Sequence, residues 1–246
     1  ADPANFDIEL LTTIDSGSGE GGAEIPTFHH RSNRLFTTNG AENRIDVYDL
    51  SDVESPEFMK SVSLSEYGDG ITSVAAGRKS IVAAVEVDPT FATDGTPTVN
   101  SGVLVVMDTD GDIVSTMELD GVLPDSVTFA KDETTVLVAI EAEPVCASDN
   151  PATADVDESK DFSLANDPEG QVVIVDLSDP ENPTKKNVTF DGFTSSEAAA
   201  AGLVVSKVQT DFAKDVEPEY VSAVDNNTAY ATLQEANGIA EIDLNS

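Results

Sequence analysis

Four times along the chain an apolar run closes on an aspartate: Ile45-Asp46-Val47-Tyr48-Asp49-Leu50, Val103-Leu104-Val105-Val106-Met107-Asp108, Val172-Val173-Ile174-Val175-Asp176-Leu177 and Ile239-Ala240-Glu241-Ile242-Asp243-Leu244. The closing aspartates fall roughly 60 to 70 residues apart, a period that marks a repeat architecture. Two β-rich stretches joined by a turn precede each run: 23–28 with 34–38, 71–76 with 80–85, 125–130 with 135–140, and 219–224 with 228–233. After the first three runs come a polar turn and a fourth stretch, at 58–64, 113–119 and 185–190. The fourth copy lacks this last stretch.

Four consecutive antiparallel strands repeated in this way describe propeller blades, since a sandwich would show no such quadruple self-similarity. The expected fold is all-β: a β-propeller-like array of four repeats of four antiparallel strands, with one short helix in an insertion. It should occupy 1–246 as a single domain, or form part of a larger ring or one completed by a neighbouring chain. The apolar run 8–14 has the character of the missing outer strand, and is expected to pair beside 239–244 or with a neighbour and so hide an open edge. Stretches 87–101 and 145–169, rich in Asp, Pro and Thr, read as long surface loops between second and third strands. Residues 194–202 read as a helix that Ser195 or Ser196 caps and Gly202 stops.

Twelve Lys and Arg against 47 Asp and Glu leave a formal charge of −35, which excludes a nucleic-acid binder because the surface repels polyanions. No apolar run approaches the roughly 20 residues of a membrane-spanning helix. A single Cys146 forbids an internal disulfide. The start at Ala1-Asp2-Pro3 leads to the expectation of an exported chain whose signal peptide has been removed behind a small residue. So acidic a surface repels itself unless salt screens it or cations bind, which points to a saline or cation-rich exterior.

Strand alternation turns the repeats into a site. First-strand starts and second-strand ends lie at one end of each blade, and there the residues are acidic: Glu24, Asp125, Glu217 and Glu219 at the starts, and Glu42, Glu86, Glu141, Glu143 and Glu235 at the ends. Carboxylates crowded at one mouth call for a hard, oxygen-ligated ion such as Ca²⁺, with Glu24, Asp125, Glu141, Glu217 and Glu219 as the metal ligands; the alternative is a solvated acidic rim. Asp108-Thr109-Asp110-Gly111-Asp112 has its glycine in the wrong place for a calcium loop and reads as a hairpin turn. His29-His30 reads as a surface turn at the opposite end, and Cys146 lacks the basic neighbour of a catalytic thiol. Asn187-Val188-Thr189 and Asn226-Asn227-Thr228 match glycosylation acceptors. No phosphate loop, nucleophile elbow or zinc-helix motif occurs, so no catalytic residue is assigned.

The segments Gly22-Ala23-Glu24-Ile25, Asn39-Gly40-Ala41-Glu42-Asn43, Leu123-Pro124-Asp125-Ser126-Val127-Thr128-Phe129, Asp167-Pro168-Glu169-Gly170, Asp215-Val216-Glu217-Pro218-Glu219-Tyr220 and Thr232-Leu233-Gln234-Glu235-Ala236-Asn237 together resemble the choice-of-anchor I domain family. That family is similar to mesenchyme-specific cell-surface glycoproteins and to secreted alkaline-phosphatase-like proteins. The resemblance implies an extracellular β-propeller with calcium-linked surface roles. The expected function is a secreted, acidic, calcium-binding surface module whose partners are divalent cations and further copies met through blade edges, forming a homo-oligomer or a matrix. The alternative is a metal-dependent phosphoesterase.

Overall fold

The computed structural model describes residues 9–93, 95–146, 149–150, 166–205 and 211–245. The first sheet comprises β1 (Pro26–His29), β2 (Arg34–Asn39), β3 (Arg44–Asp49) and β4 (Glu57–Ser63) in that order. The second comprises β5 (Gly70–Ala76), β6 (Ser80–Glu86), β9 (Val103–Asp108) and β10 (Ile113–Glu118), and a small hairpin of β7 (Thr90–Phe91) and β8 (Pro97–Thr98) is inserted between β6 and β9. The third holds β11 (Pro124–Phe129), β12 (Thr135–Ile140), β13 (Gln171–Asp176) and β14 (Thr184–Thr189). The last has three strands, β15 (Pro218–Ala223), β16 (Thr228–Leu233) and β17 (Gly238–Asp243). All pairings within these sheets are antiparallel.

The sheets stack face to face in chain order, and the sequence of the inner strands explains why. In β6, Ile81, Ala83 and Val85 pack with Phe36, Ile45 and Val47 of the first sheet, while Val82 and Ala84 on the other face pack with Val136 and Val138 of the third. A strand buried on both faces must be apolar at every position, which is why β6, β9, β12 and β13 read as continuous runs. In the third sheet, Leu137, Ala139 and Val172 meet Val221, Ala229, Ala231 and Ile242 of the fourth. There the alternation changes: Ala229, Ala231 and Leu233 of β16 are buried, while Tyr230 and Thr232 between them are exposed. Tyr220 is 57% and Ile239 68% exposed on the same far face. The series is therefore an open arc among the described residues, with its last face bare.

Side chains clasp each sheet to the next. Thr27 Oγ1 accepts from the Ala76 amide at 3.1 Å, Ser73 Oγ from Val127 at 3.2 Å, and Ser126 Oγ from Val221 at 3.5 Å. At one end of the stack the hairpin turns also join. His29 is buried, with Nδ1 2.7 Å from Ser32 Oγ and Nε2 3.3 Å from the Arg78 carbonyl, and burial lowers its pKa. Arg31 reaches past the second sheet to bind both oxygens of Glu133, at 3.1 and 2.8 Å. His29 is thus an internal link between hairpins and not the surface turn residue the sequence suggests; His30 beside it is exposed.

The N-terminal run departs from expectation. Residues 9–14 form no strand and pair with neither β17 nor another edge, and Ile8 lies outside the described residues. The chain crosses the outer face of the first sheet instead, with Ile14 beside Pro26, Leu35 and Tyr48. Ser18 Oγ accepts from Asn39 Nδ2 at 3.0 Å. Beneath it Asp46, 1% exposed, accepts from Asn39 Nδ2 at 2.9 Å, Arg44 Nε at 2.8 Å and Ser61. Burial alone would raise the Asp46 carboxyl, but the hydrogen bonds from Arg44, Asn39 and Ser61 hold it below its ordinary value. A segment tied down by this polar layer is not free to cap a distant edge.

The loop reading of 87–101 is modified by the β7–β8 hairpin. Within 145–169, residues 147–148 and 151–165 lie outside the described residues, and Val145 bridges Asn166. The helix forms as α1 (Ser195–Ala200), but Thr194 is its N-cap. Its side chain takes the Glu197 amide and Glu197 answers to the Thr194 amide, the reciprocal pair of a capping box. Gly202, at φ +93, ends it. A second short helix, α2 (Phe212–Asp215), leads into β15.

Candidate acidic mouth

Three of the four first strands carry a bulge at the same place. The register slips between Ile71 and Ser73 in β5, between Pro124 and Ser126 in β11, and between Pro218 and Val221 in β15. A bulge leaves its extra residue unpaired and re-aims the side chain. The residues in the slips are Thr72, Asp125 and the pair Glu219-Tyr220 opposite Thr232, and Thr72, Asp125 and Glu219 each sit at the end of the blade where the second strand finishes in Glu86, Glu141 or Gln234-Glu235. Thr72 donates across to the Pro124 carbonyl, bridging the second sheet to the third beside Asp125.

The second-strand ends add their own geometry. Ala142 adopts φ 62 and Leu123 φ 55, left-handed conformations that a side chain resists. They are held by backbone bonds from Glu141 to the Leu123 carbonyl, 3.0 Å, and from Ala142 to Val122, 3.1 Å. Buried Ala142 thus turns the chain between Glu141 and Glu143 at the mouth.

The carboxylates from the last three sheets feel one another. Burial, then Glu143, Asp125, Glu217 and Glu219, push Glu141 up to about 7. Burial followed by Glu235, Glu143, Asp215 and Asp167 does the same for Glu217. Asp125 is raised by burial, Glu219 and Glu143, and Glu86 by burial with Asp88, Asp69, Asp125 and Glu143. The charged groups that perturb these four most are themselves carboxylates. The Gln234 amide faces the Glu219 carboxylate, and donates to it when the amide is turned with its nitrogen toward those oxygens. Arg31, Arg78, Lys79 and Lys131 stand in or beside the hairpin turns at the opposite end, so the molecule has an acidic and a partly basic pole.

Of the five ligands expected from sequence, Asp125, Glu141, Glu217 and Glu219 belong to this group. Glu24 does not: it is exposed and lies against Gly40 in the first sheet. The β1–β2 pair of the first sheet has no bulge, its register running unbroken from Pro26–Thr37 to His29–Arg34, so no slip in that first strand turns an acidic side chain into the mouth. Glu42 is likewise engaged locally, 3.6 Å from Arg44. Glu86 and Glu143, expected at the mouth though not among the five ligands, take part in this group, and Asp167, which the sequence reading did not place there, acts on Glu217. The Asp108–Asp112 segment is a hairpin turn as expected: Asp108 Oδ1 accepts from the Asp110 and Asp112 amides at 2.8 and 2.9 Å, and Gly111 has φ +80.

The donors at the mouth are carboxylate oxygens, the chemistry that suits a hard cation. Among the described residues, however, no three acidic, imidazole or thiol groups are gathered closely enough to form a ready-made metal centre. The carboxylates would have to close in around an ion. Nor is any helix among the described residues long and apolar enough to cross a membrane.

Comparison with known proteins gives a family and a fold. The model of the choice-of-anchor I domain matches residues 24–246. The β-propeller domain of Cps50 (Swd1) from Myceliophteria thermophila aligns with 96% of this chain at 12% identity and a TM-score of 0.52. The chain spans 55% of that protein's length, and the likeness shows a β-propeller-like fold. A nidogen/laminin complex aligns with 89% of the chain and 59% of its own at 11% identity and a TM-score of 0.47. Sequence comparison finds no match among curated proteins.

Proposed function

Because the chain belongs to the choice-of-anchor I domain family, we propose that it is an acidic module of the cell surface or extracellular space whose carboxylate mouth takes up divalent cations, calcium first among them. The observation that carries this reading is geometric: bulges at equivalent places in β11 and β15 turn Asp125 and Glu219 toward Glu141, Glu143 and Glu217. Such a group carries a large repulsive cost that a divalent ion relieves, and a −35 chain gains further from cation uptake. That the groups acting most strongly on these carboxyls are themselves acidic favours cation binding over phosphate-ester chemistry, which needs a group to stabilise the phosphoryl charge. Association with further copies through sheet edges is the second part of the reading, since β17 ends its sheet without a fourth strand.

The test is calorimetric titration of CaCl₂ at fixed ionic strength into the chain and into Glu217→Gln/Glu219→Gln. The double variant should bind at least about tenfold more weakly, because ligand charge count sets affinity at such sites. Unchanged binding would leave the mouth as solvated acidic surface.

A further inference from the structure

A cleft of about 600 Å³ lies between the second and third sheets, and segments from the middle of the chain line it. Residues 99–101 lead into β9, residues 120–122 join β10 to β11, residues 167–171 lead into β13, and α2 supplies Lys214. Backbone bonds hold these walls: the Gly102 amide donates to the Gly121 carbonyl and the Gly170 amide to Ala213, each at 2.8 Å. Asp167, which lines the cleft, also acts on Glu217, so the cleft opens beside the mouth. Its volume falls within the roughly 300–1,000 Å³ of small-molecule sites.

Gln171 sets the chemistry of the lining. It is 7% exposed, its Nε2 donates to the Asp120 carbonyl at 2.9 Å, and its Oε1 has no hydrogen-bond partner among the described residues. Gly121 permits this arrangement, since a Cβ there would stand 2.6 Å from Gln171 Nε2. A buried acceptor without a donor costs free energy that an incoming N–H recovers. The other neutral groups also spend donors on the protein: Asn100 Nδ2 donates to the Asp88 carbonyl at 2.6 Å, and Thr189 Oγ1 to the Asp191 carboxylate at 2.9 Å. The lining therefore offers acceptors, to which Asp120, Asp167 and Glu169 add negative charge. Asp120 is 2.7 Å from Lys185, and Lys214 is the one cation in the lining.

This pattern selects among ligands. An anion meets three carboxylates. A neutral polyol requires donors from the protein as well as acceptors. A bare metal ion is far smaller than the cleft, and among the described residues no three acidic groups are gathered to hold one. We propose that the cleft binds an aliphatic diamine or polyamine, whose ammonium groups donate to Gln171 Oε1 and to the carboxylates of Asp167 and Glu169. Val99, Val122 and Pro168 give its methylenes an apolar bed. Lys214 opposes such a ligand and holds its affinity down.

The test is calorimetric titration at fixed ionic strength with cadaverine, and with pentamethonium, which has the same chain length and charge but no N–H. Cadaverine should bind saturably at one site, and pentamethonium at least about tenfold more weakly. Glu169→Gln, at an exposed position, and Gln171→Met should each weaken cadaverine about fivefold, while Lys214→Gln should strengthen it about threefold. Glu217→Gln/Glu219→Gln should leave it unchanged, although it weakens calcium. Equal binding of the two dications would mean that charge alone attracts them, and would overturn the proposal. So would an affinity that Glu169→Gln does not alter, or cadaverine binding lost in the Glu217→Gln/Glu219→Gln protein, which would move the amine into the mouth.

Discussion

The first and last sheets are built from the same repeat, yet they terminate the stack in opposite ways. The outer face of the first sheet is covered over its polar part: Asp46, Asn39 and Thr37 are buried under the chain around Ile14 and Ser18, while Phe28 and Phe58 toward the sheet's margins stay exposed. The outer face of the last sheet is semi-apolar and bare, with Tyr220, Tyr230 and Ile239 in solvent and an unpaired edge beside them. The mouth divides the two sheets as well. A bulge brings Glu219 of the last sheet among the carboxylates, whereas the unbroken β1–β2 register of the first leaves Glu24 outside. One strand pattern can thus close an end or leave it available, depending on the residues facing outward and on one slip of register.

Breaking the closed end should give the largest effect. Asp46→Ala strands the Arg44 guanidinium and the Asn39 amide beneath the N-terminal segment, and should destabilise the chain by about 3 kcal/mol in urea unfolding. Glu241→Ala at the bare end should change stability by no more than about 0.5 kcal/mol. Equal effects would erase the distinction between the two ends.

The pH dependence of stability sharpens the contrast at the mouth. Glu141 and Glu217 have folded-state values raised to about 7 from 4.5, so between those limits the folded chain holds more protons than the unfolded one. Stability from this source is present below about pH 4.5 and is lost as pH rises through 7. Discounted for solvent screening of half-exposed groups, each contributes about 1 kcal/mol. His29 acts in the opposite sense: its lowered value means that the fold keeps it neutral, and stability is lost as pH falls below 6.5. Glu141→Gln/Glu217→Gln should therefore be more stable than the parent at pH 8, and the two should converge toward pH 5. A difference that does not vary with pH would show that the two carboxyls do not titrate together with folding.

Glu24→Gln should leave calcium affinity within about twofold of the parent, the smallest effect expected. A loss comparable to that of Glu217→Gln/Glu219→Gln would return the first sheet to the mouth.

Much of this molecule is legible in its sequence. The runs ending in Asp49, Asp108, Asp176 and Asp243 are third strands, and β12 and β16 coincide with the stretches read from alternation, because a strand buried on one or both faces leaves its pattern in the side chains. The run 9–14 misleads for the same reason: apolar composition says that a segment wants cover, not which surface supplies it. What decides is Ser18 and the buried group of Asn39, Arg44 and Asp46. Arg44 and Asp46, two apart on one strand, fall on the same face, and that opposite-charge spacing is the signal that was available. The bulges left no such trace, since a slip of register is a property of two strands and the alternation of one does not record it. For that reason four of the five expected mouth residues were identifiable while the exclusion of Glu24 was not.

The most direct measurement is a crystal structure determined with CaCl₂, with the ion located by its anomalous signal. An ion coordinated by carboxylates from both the third and fourth sheets, among Asp125, Glu141, Glu217 and Glu219, and not by Glu24, is the predicted result. An ion held at the Asp108–Asp112 turn, or none ordered at the mouth, would contradict it.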